Sequence, residues 1–283
     1  MKITSTEFND TVYGSIPTPI STVEVGKHEK GRIVFLGGLN QDPALMQSLQ
    51  KALAEGYGFS SIGLSAFDTV NPTSEVGEGR MNRRAAILNH LGSTCLRDLF
   101  EEPTAVLTHC AGANVFLLAK SQSGRSDYFP DQGVLAEPMI VEGVDLRYYT
   151  WPFLKHEKAA KKDDGLISLQ SLSKTSTDSF TTTALTKPLL EIIESQGTTL
   201  YVNAQNRGER YSIVTGENDF AARCEDIVRS IEALGGLAQV IEYPDQELKG
   251  HGYLLVEPKA LETVVPLLSV PAFLGELAIP HLA

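Results

Sequence analysis

The chain predicts an α/β protein: a mostly parallel central sheet flanked by helices, with an inserted cap or lid. Three observations carry that expectation. Short apolar runs of strand type alternate with helical patterns across short connections, which is how a parallel sheet covered on both faces reads. The alternation breaks once, over 142–196, where Tyr148, Tyr149, Trp151 and Phe153 are followed by a Lys-rich stretch and a polar Ser/Thr run. Near the middle, an apolar run at 105–107 meets a helical run at 113–120 across only Thr108-His109-Cys110-Ala111-Gly112.

Residues 1–30 read as short strands and turns, punctuated by Gly14, Pro17 and Pro19. Arg32-Ile33-Val34-Phe35-Leu36 is a compact strand ending at Gly37-Gly38. A helix is expected over 43–55, since Asp42 can cap it and Pro43 fits the first helical position without losing a hydrogen bond. Residues 60–67 are the next strand, 68–79 a polar loop with several glycines, and 80–100 a helix. Residues 133–141 read as a further strand, and after the interruption come strand 211–215, helix 220–234, strand 238–243 and a helical region beyond His251. The expected organisation is a core made of 1–141 and 197–283, with 142–196 as the cap. Its aromatic cluster, Trp151 included, serves first as the cap's own small core and second as a surface for substrate.

Composition narrows the function. Hydrophobic residues at 42% and charged residues at 21% describe a globular chain. A net charge of −11 leaves neither phosphate neutralisation nor a polybasic face, so no nucleic acid and no anionic membrane is expected as partner. The cluster His156-Glu157-Lys158-Ala159-Ala160-Lys161-Lys162 runs straight into Asp163-Asp164 and reads as a solvated helix face in preference to a phosphate-binding patch. Three cysteines stand far apart without CxxC spacing, which suggests neither zinc site nor disulfide framework. Cys95 and Cys224 read as small, buried or half-buried residues. No apolar signal core and no run of about 18 apolar residues occurs, so the expected compartment is a reducing cytoplasm. No cofactor and no metal is expected.

The chemistry centres on Cys110. A sharp turn from strand to helix lifts one side chain out of the sheet and sets it beside the positive end of the helix, where a thiolate is stabilised. The pattern is a nucleophile elbow with cysteine in place of serine. Open parallel sheets carry their chemistry in loops at the carboxyl ends of strands, so partners are sought there. His28, His156 and His281 lie in polar or terminal segments and His90 in a helix, whereas His109 should point away from its neighbour Cys110. His109 is therefore assigned to packing or hydrogen bonding under the elbow. His251, flanked by Gly250 and Gly252 in the loop after the last strand, is the candidate base. Asp219, in Thr215-Gly216-Glu217-Asn218-Asp219, is the candidate acid, with Glu217 and Asp226 as rivals and helix capping as its alternative duty. The backbone amides of Ala111 and Leu39 are the candidate oxyanion donors, and Gly38 lets the main chain approach a substrate carbonyl.

Cys110, Asp219 and His251 follow one another as nucleophile, acid and base. With the Thr-His-Cys-Ala-Gly turn, the Gly216-Glu-Asn-Asp219 loop and the Gly250-His-Gly-Tyr-Leu-Leu-Val-Glu-Pro258 loop, the chain resembles the α/β-hydrolase superfamily from Arg32 onward. Cysteine at the elbow is similar to dienelactone hydrolases and to certain thioesterases and acyltransferases of that superfamily. Thr108 stands where the superfamily usually has glycine. The resemblance implies a Cys-His-Asp triad that acts on an ester, lactone or thioester through an acyl-cysteine. Water as acceptor makes a hydrolase or thioesterase, and another acceptor makes an acyltransferase or cyclase. The expected partner is a small acyl substrate, with thioester linkage to a carrier among the fitting forms. A ligand-binding member without catalysis, and a lyase that uses His251 as base, are the competing readings.

Overall fold

Continuous apolar runs such as Ile33-Val34-Phe35-Leu36 suit strands covered on both faces, and that is where they lie. In a computed structural model, described for residues 1–10, 16–38, 43–65, 80–122, 126–140, 196–217, 219, 223–244 and 258–269, eight strands form one sheet. They are β1 (Lys2–Asp10), β2 (Ile16–Glu24), β3 (Gly31–Gly37), β4 (Phe59–Ser65), β5 (Ala105–His109), β6 (Gln132–Ala136), β7 (Arg210–Gly216) and β8 (Val240–Tyr243). Their spatial order is β1-β2-β4-β3-β5-β6-β7-β8. β2 runs antiparallel to both β1 and β4, and every other pair is parallel.

Alternate residues feed two cores. Val34, Leu36, Ile62, Val106, Leu135 and Ile213 face helices α2 (Arg80–Ser93), α4 (Ala111–Ser121), α5 (Gly197–Asn206) and α6 (Cys224–Ala233). Ile33, Phe35, Leu107, Val134 and Val214 face α1 (Pro43–Ala52) and α7 (Pro258–Leu268). Each such side chain contributes about 1.5–3 kcal/mol by leaving water. On the first face Phe116 meets Phe129 and Tyr211 edge-on, at ring separations of 6.2 and 5.4 Å. These contacts anchor α4, the helix that carries the candidate nucleophile at its start.

Several boundaries differ from expectation. The amino-terminal stretch forms two paired strands of nine residues rather than short pieces. The helix expected over 80–100 breaks after Ser93 and resumes as α3 (Leu96–Leu99). There the hydroxyls of Ser93 and Thr94 donate to the carbonyls of Asn89 and His90, at 2.8 and 2.7 Å, which favours termination over continuation. The α1 helix passes into a wide turn over Leu53–Tyr57 and is closed by Gly58 at φ +78°. β6 stops at Ala136, five residues short of expectation, because Glu137 has φ +48° and Pro138 follows. The α6 helix starts at Cys224 rather than 220, and β8 at Val240 rather than 238. The α5 helix was not expected. The region assigned to the cap, with Trp151 and its aromatic neighbours, lies outside the described residues, as do the 68–79 loop and the basic cluster at 156–162.

Candidate active site

β5 runs straight into α4 through Cys110, whose backbone is at φ +52° and ψ −130°. That conformation costs a non-glycine residue about 1–3 kcal/mol and survives only where the surroundings enforce it. They do so here. The Cys110 amide donates to Ala136 O at 3.0 Å, and its carbonyl accepts from the Ala113 amide at 3.1 Å. Cys110 precedes the first turn of α4 without spending its side chain on a capping bond. Cys110 is 6% exposed and packs with the core at the carboxyl edge of the sheet.

Two glycines make this geometry fit. A β-carbon on Gly112 would stand 2.6 and 2.7 Å from the carbonyl oxygens of Leu36 and Gly37, so the first turn of α4 presses directly on the end of β3. A β-carbon on Gly38 would stand 2.7 Å from Cys110 Cβ and 3.1 Å from His109 O. Thr108, by contrast, sits within β5, paired with Leu36 and Leu135 and fully buried. The positive φ falls at Cys110, two residues later, so a β-branched residue at 108 is compatible with the turn. Ala111 is the first residue of α4 and is fully buried. Its amide is among those that a helix start leaves without an intrahelical acceptor.

Asp219 follows β7, on the same edge as Cys110. It is 3% exposed, its amide donates to Gly216 O at 3.0 Å, and Thr215 Oγ1 donates to its Oδ2 at 3.4 Å. Asp219 does not cap α6, which begins at Cys224 after Arg223. Of its rivals, Glu217 is exposed and Asp226 lies within α6, accepting from Arg229 at 3.2 Å. Gly38 is thus brought against Cys110, and Asp219 is placed two strands away from it. His251, Leu39 and Trp151 lie outside the described residues. Among the described residues no group of His, Cys, Asp and Glu is arranged to hold a metal ion, and no helix is long and apolar enough to cross a membrane.

One residue escaped the sequence reading. Glu137, just past β6, is fully buried. Its amide donates to Val214 O at 2.7 Å, His109 Nε2 donates to its Oε2 at 2.9 Å, and the Tyr243 hydroxyl donates to its Oε1. His109 therefore makes a hydrogen bond to Glu137 rather than serving Cys110 as a base. The sequence signal for Glu137 was slender: a single carboxylate between the apolar run Val134-Leu135-Ala136 and Pro138.

A sheet of this order, with a sharp turn from its fifth strand into a helix, defines the α/β-hydrolase fold, and the chain has it. No protein-family model and no curated protein matches the sequence. Among solved structures, a thioesterase domain from the curacin biosynthetic pathway is similar over 94% of this chain and 100% of its own, with TM-score 0.59 and 12% identity. A thermostable carboxyl esterase from Bacillus coagulans covers 95% of this chain and 97% of its own, with TM-score 0.59 and 12% identity. A lipase in its open form covers 94% and 98%, with TM-score 0.58 and 15% identity.

Proposed function

We propose that the protein is an acyl hydrolase, of esterase or thioesterase type, that works through an acyl-cysteine at Cys110. The observation that carries this reading is the backbone of Cys110: a strained, non-glycine φ of +52° at the junction of a central strand and a helix, with the side chain unused as a cap. The thioesterase, esterase and lipase named above share the fold and support the hydrolase class.

In this mechanism His251, oriented by Asp219, takes the proton from Cys110 Sγ. The sulfur attacks the carbonyl carbon of an ester or thioester, and the oxyanion is met by the amides of Ala111 and Leu39. Collapse expels the alcohol or thiol, which leaves with the proton from His251. Water, deprotonated by His251, then attacks the acyl-cysteine and releases the acid. Thioesters suit a thiol nucleophile because the exchange of one thioester for another is close to balanced in energy.

The test is intact-mass measurement after incubation with a series of acyl thioesters and esters. An acyl adduct on Cys110 that disappears with time, and that Cys110→Ala lacks, is the expected result. Undiminished turnover by Cys110→Ala defeats the assignment.

A further inference from the structure

Glu137 presents a physical puzzle, since a carboxylate taken fully out of water costs several kcal/mol unless donors surround it. It is also held at φ +48°, in a region where side chains are rarely found. Both costs fall on one residue directly below the candidate site, and an apolar residue there would incur neither desolvation nor the need for partners. The residue must therefore be judged by what it holds.

It holds three strands. The main-chain amide reaches β7 at Val214, and the carboxylate takes one hydrogen bond from His109 of β5 and one from Tyr243 of β8. Tyr243 is in turn wedged beside Gly216, where a β-carbon would stand 3.2 Å from its ring. The other edge of the His109 ring faces the loop after β3: Nδ1 would lie 3.3 Å from a β-carbon on Gly38. Gly38 itself abuts Cys110. A continuous row thus runs Tyr243, Glu137, His109, Gly38, Cys110.

We propose that Glu137 is a positioning residue of the acyl-transfer site: by fixing the His109 ring it sets the Gly38 main chain at the distance from Cys110 that the oxyanion requires. The inference rests on the functional reading above. Glu137 touches neither substrate nor thiol and acts through His109. Its loss lets the imidazole turn and the β3 loop drift, and displacements near 1 Å in such a site cost on the order of 100-fold in rate. The thiol itself keeps its place, because main-chain bonds to Ala136 O and from Ala113 N hold the Cys110 backbone, and a side-chain change at 137 leaves them in place.

The experiment compares two reactions of the same sulfur. Acylation by p-nitrophenyl butyrate needs the oxyanion donors, and alkylation by iodoacetamide does not. Glu137→Gln keeps the size of the side chain and removes its charge. It is expected to acylate about 10- to 100-fold more slowly, at unchanged KM, while Cys110 alkylation stays within about threefold of wild type. Acylation at the wild-type rate, or alkylation falling in parallel with acylation, overturns the proposal. Should that variant not fold, Tyr243→Phe reads the same row: acylation about three- to tenfold slower with alkylation unchanged is expected, and a wild-type rate overturns it. A wild-type protein that forms no acyl-Cys110 overturns the functional reading and this inference together. Wild-type acylation matched by Glu137→Gln overturns the inference alone.

Discussion

Gly38 and Cys110 stand so close that a β-carbon on the glycine would meet Cys110 Cβ at 2.7 Å. Backbone and nucleophile are therefore in contact with no side chain between them. Gly38→Ala must push the β3 loop away from the thiol. We expect acylation to fall by about two orders of magnitude, comparable with the loss of an oxyanion donor. Melting temperature should drop by only a few degrees, because the strain is local to the loop. Stopped-flow acylation beside calorimetry separates the two, and a full-rate alanine variant rules the contact out as a determinant of rate.

The burial of Asp219 and the exposure of Glu217 give opposite expectations for two neighbouring carboxylates. Asp219→Asn should lower kcat by roughly 10⁴, the scale seen when the acid of a triad becomes an amide. Glu217→Gln should leave kcat within about twofold, as surface substitutions usually do. Steady-state kinetics on both variants decides, and a reversed order moves the acid to Glu217.

Tyrosine ionisation should report the core beneath α4. Burial pushes the phenol of Tyr201 up to about 12 and those of Tyr128 and Tyr211 higher still, with the carboxylates of Glu209 and Asp131 adding to the effect at Tyr211. An unfolded tyrosine ionises near 10, so the folded state holds these protons more tightly than the unfolded state does. Their contribution to stability is complete below pH 10 and is lost as pH rises through 10 toward 12 and beyond. Absorbance at 295 nm, which reads the nine tyrosines together, should show the phenols of these three ionising only with alkaline unfolding. Normal titration of all nine in the folded protein contradicts the burial.

Cys95 and Cys224 should behave as slow thiols. Burial raises both, with nearby carboxylates adding to it: Asp98 at Cys95, Glu242 and Glu225 at Cys224. At pH 8 each should be carbamidomethylated more slowly than free cysteine, and the deficit should narrow as pH climbs past 9. Peptide mapping after timed iodoacetamide exposure measures this. Free-cysteine rates at pH 8 contradict it.

Parallel strands were readable because both their faces are buried, so β3 and β5 appear as unbroken apolar runs. The α5 helix was not readable, since Thr198, Thr199 and Val202 are poor helix formers. It is held by tertiary contact instead: Tyr201 and Ala204 are fully buried, and a β-carbon on Gly197 would touch Asn114 Nδ2 at 2.7 Å. The end of β6 was misjudged because Met139 and Ile140 prolong the apolar pattern past a backbone reversal at Glu137 that no side-chain pattern announces. Cys110 was legible from the shape of its turn. Glu137 was not, because its partners His109 and Tyr243 lie 28 and 106 residues away and meet it only once the sheet is assembled.

One strand, β6, lies between the strand that leads into Cys110 and the strand that leads to Asp219. Two strand spacings amount to about 10 Å. Main-chain bonds lock that interval at its open end, from Cys110 to Ala136 and from Glu137 to Val214. A gap ruled by peptide groups is indifferent to the side chains hung upon it. The same fold is shared with a thioesterase domain that matches this chain at only 12% of positions.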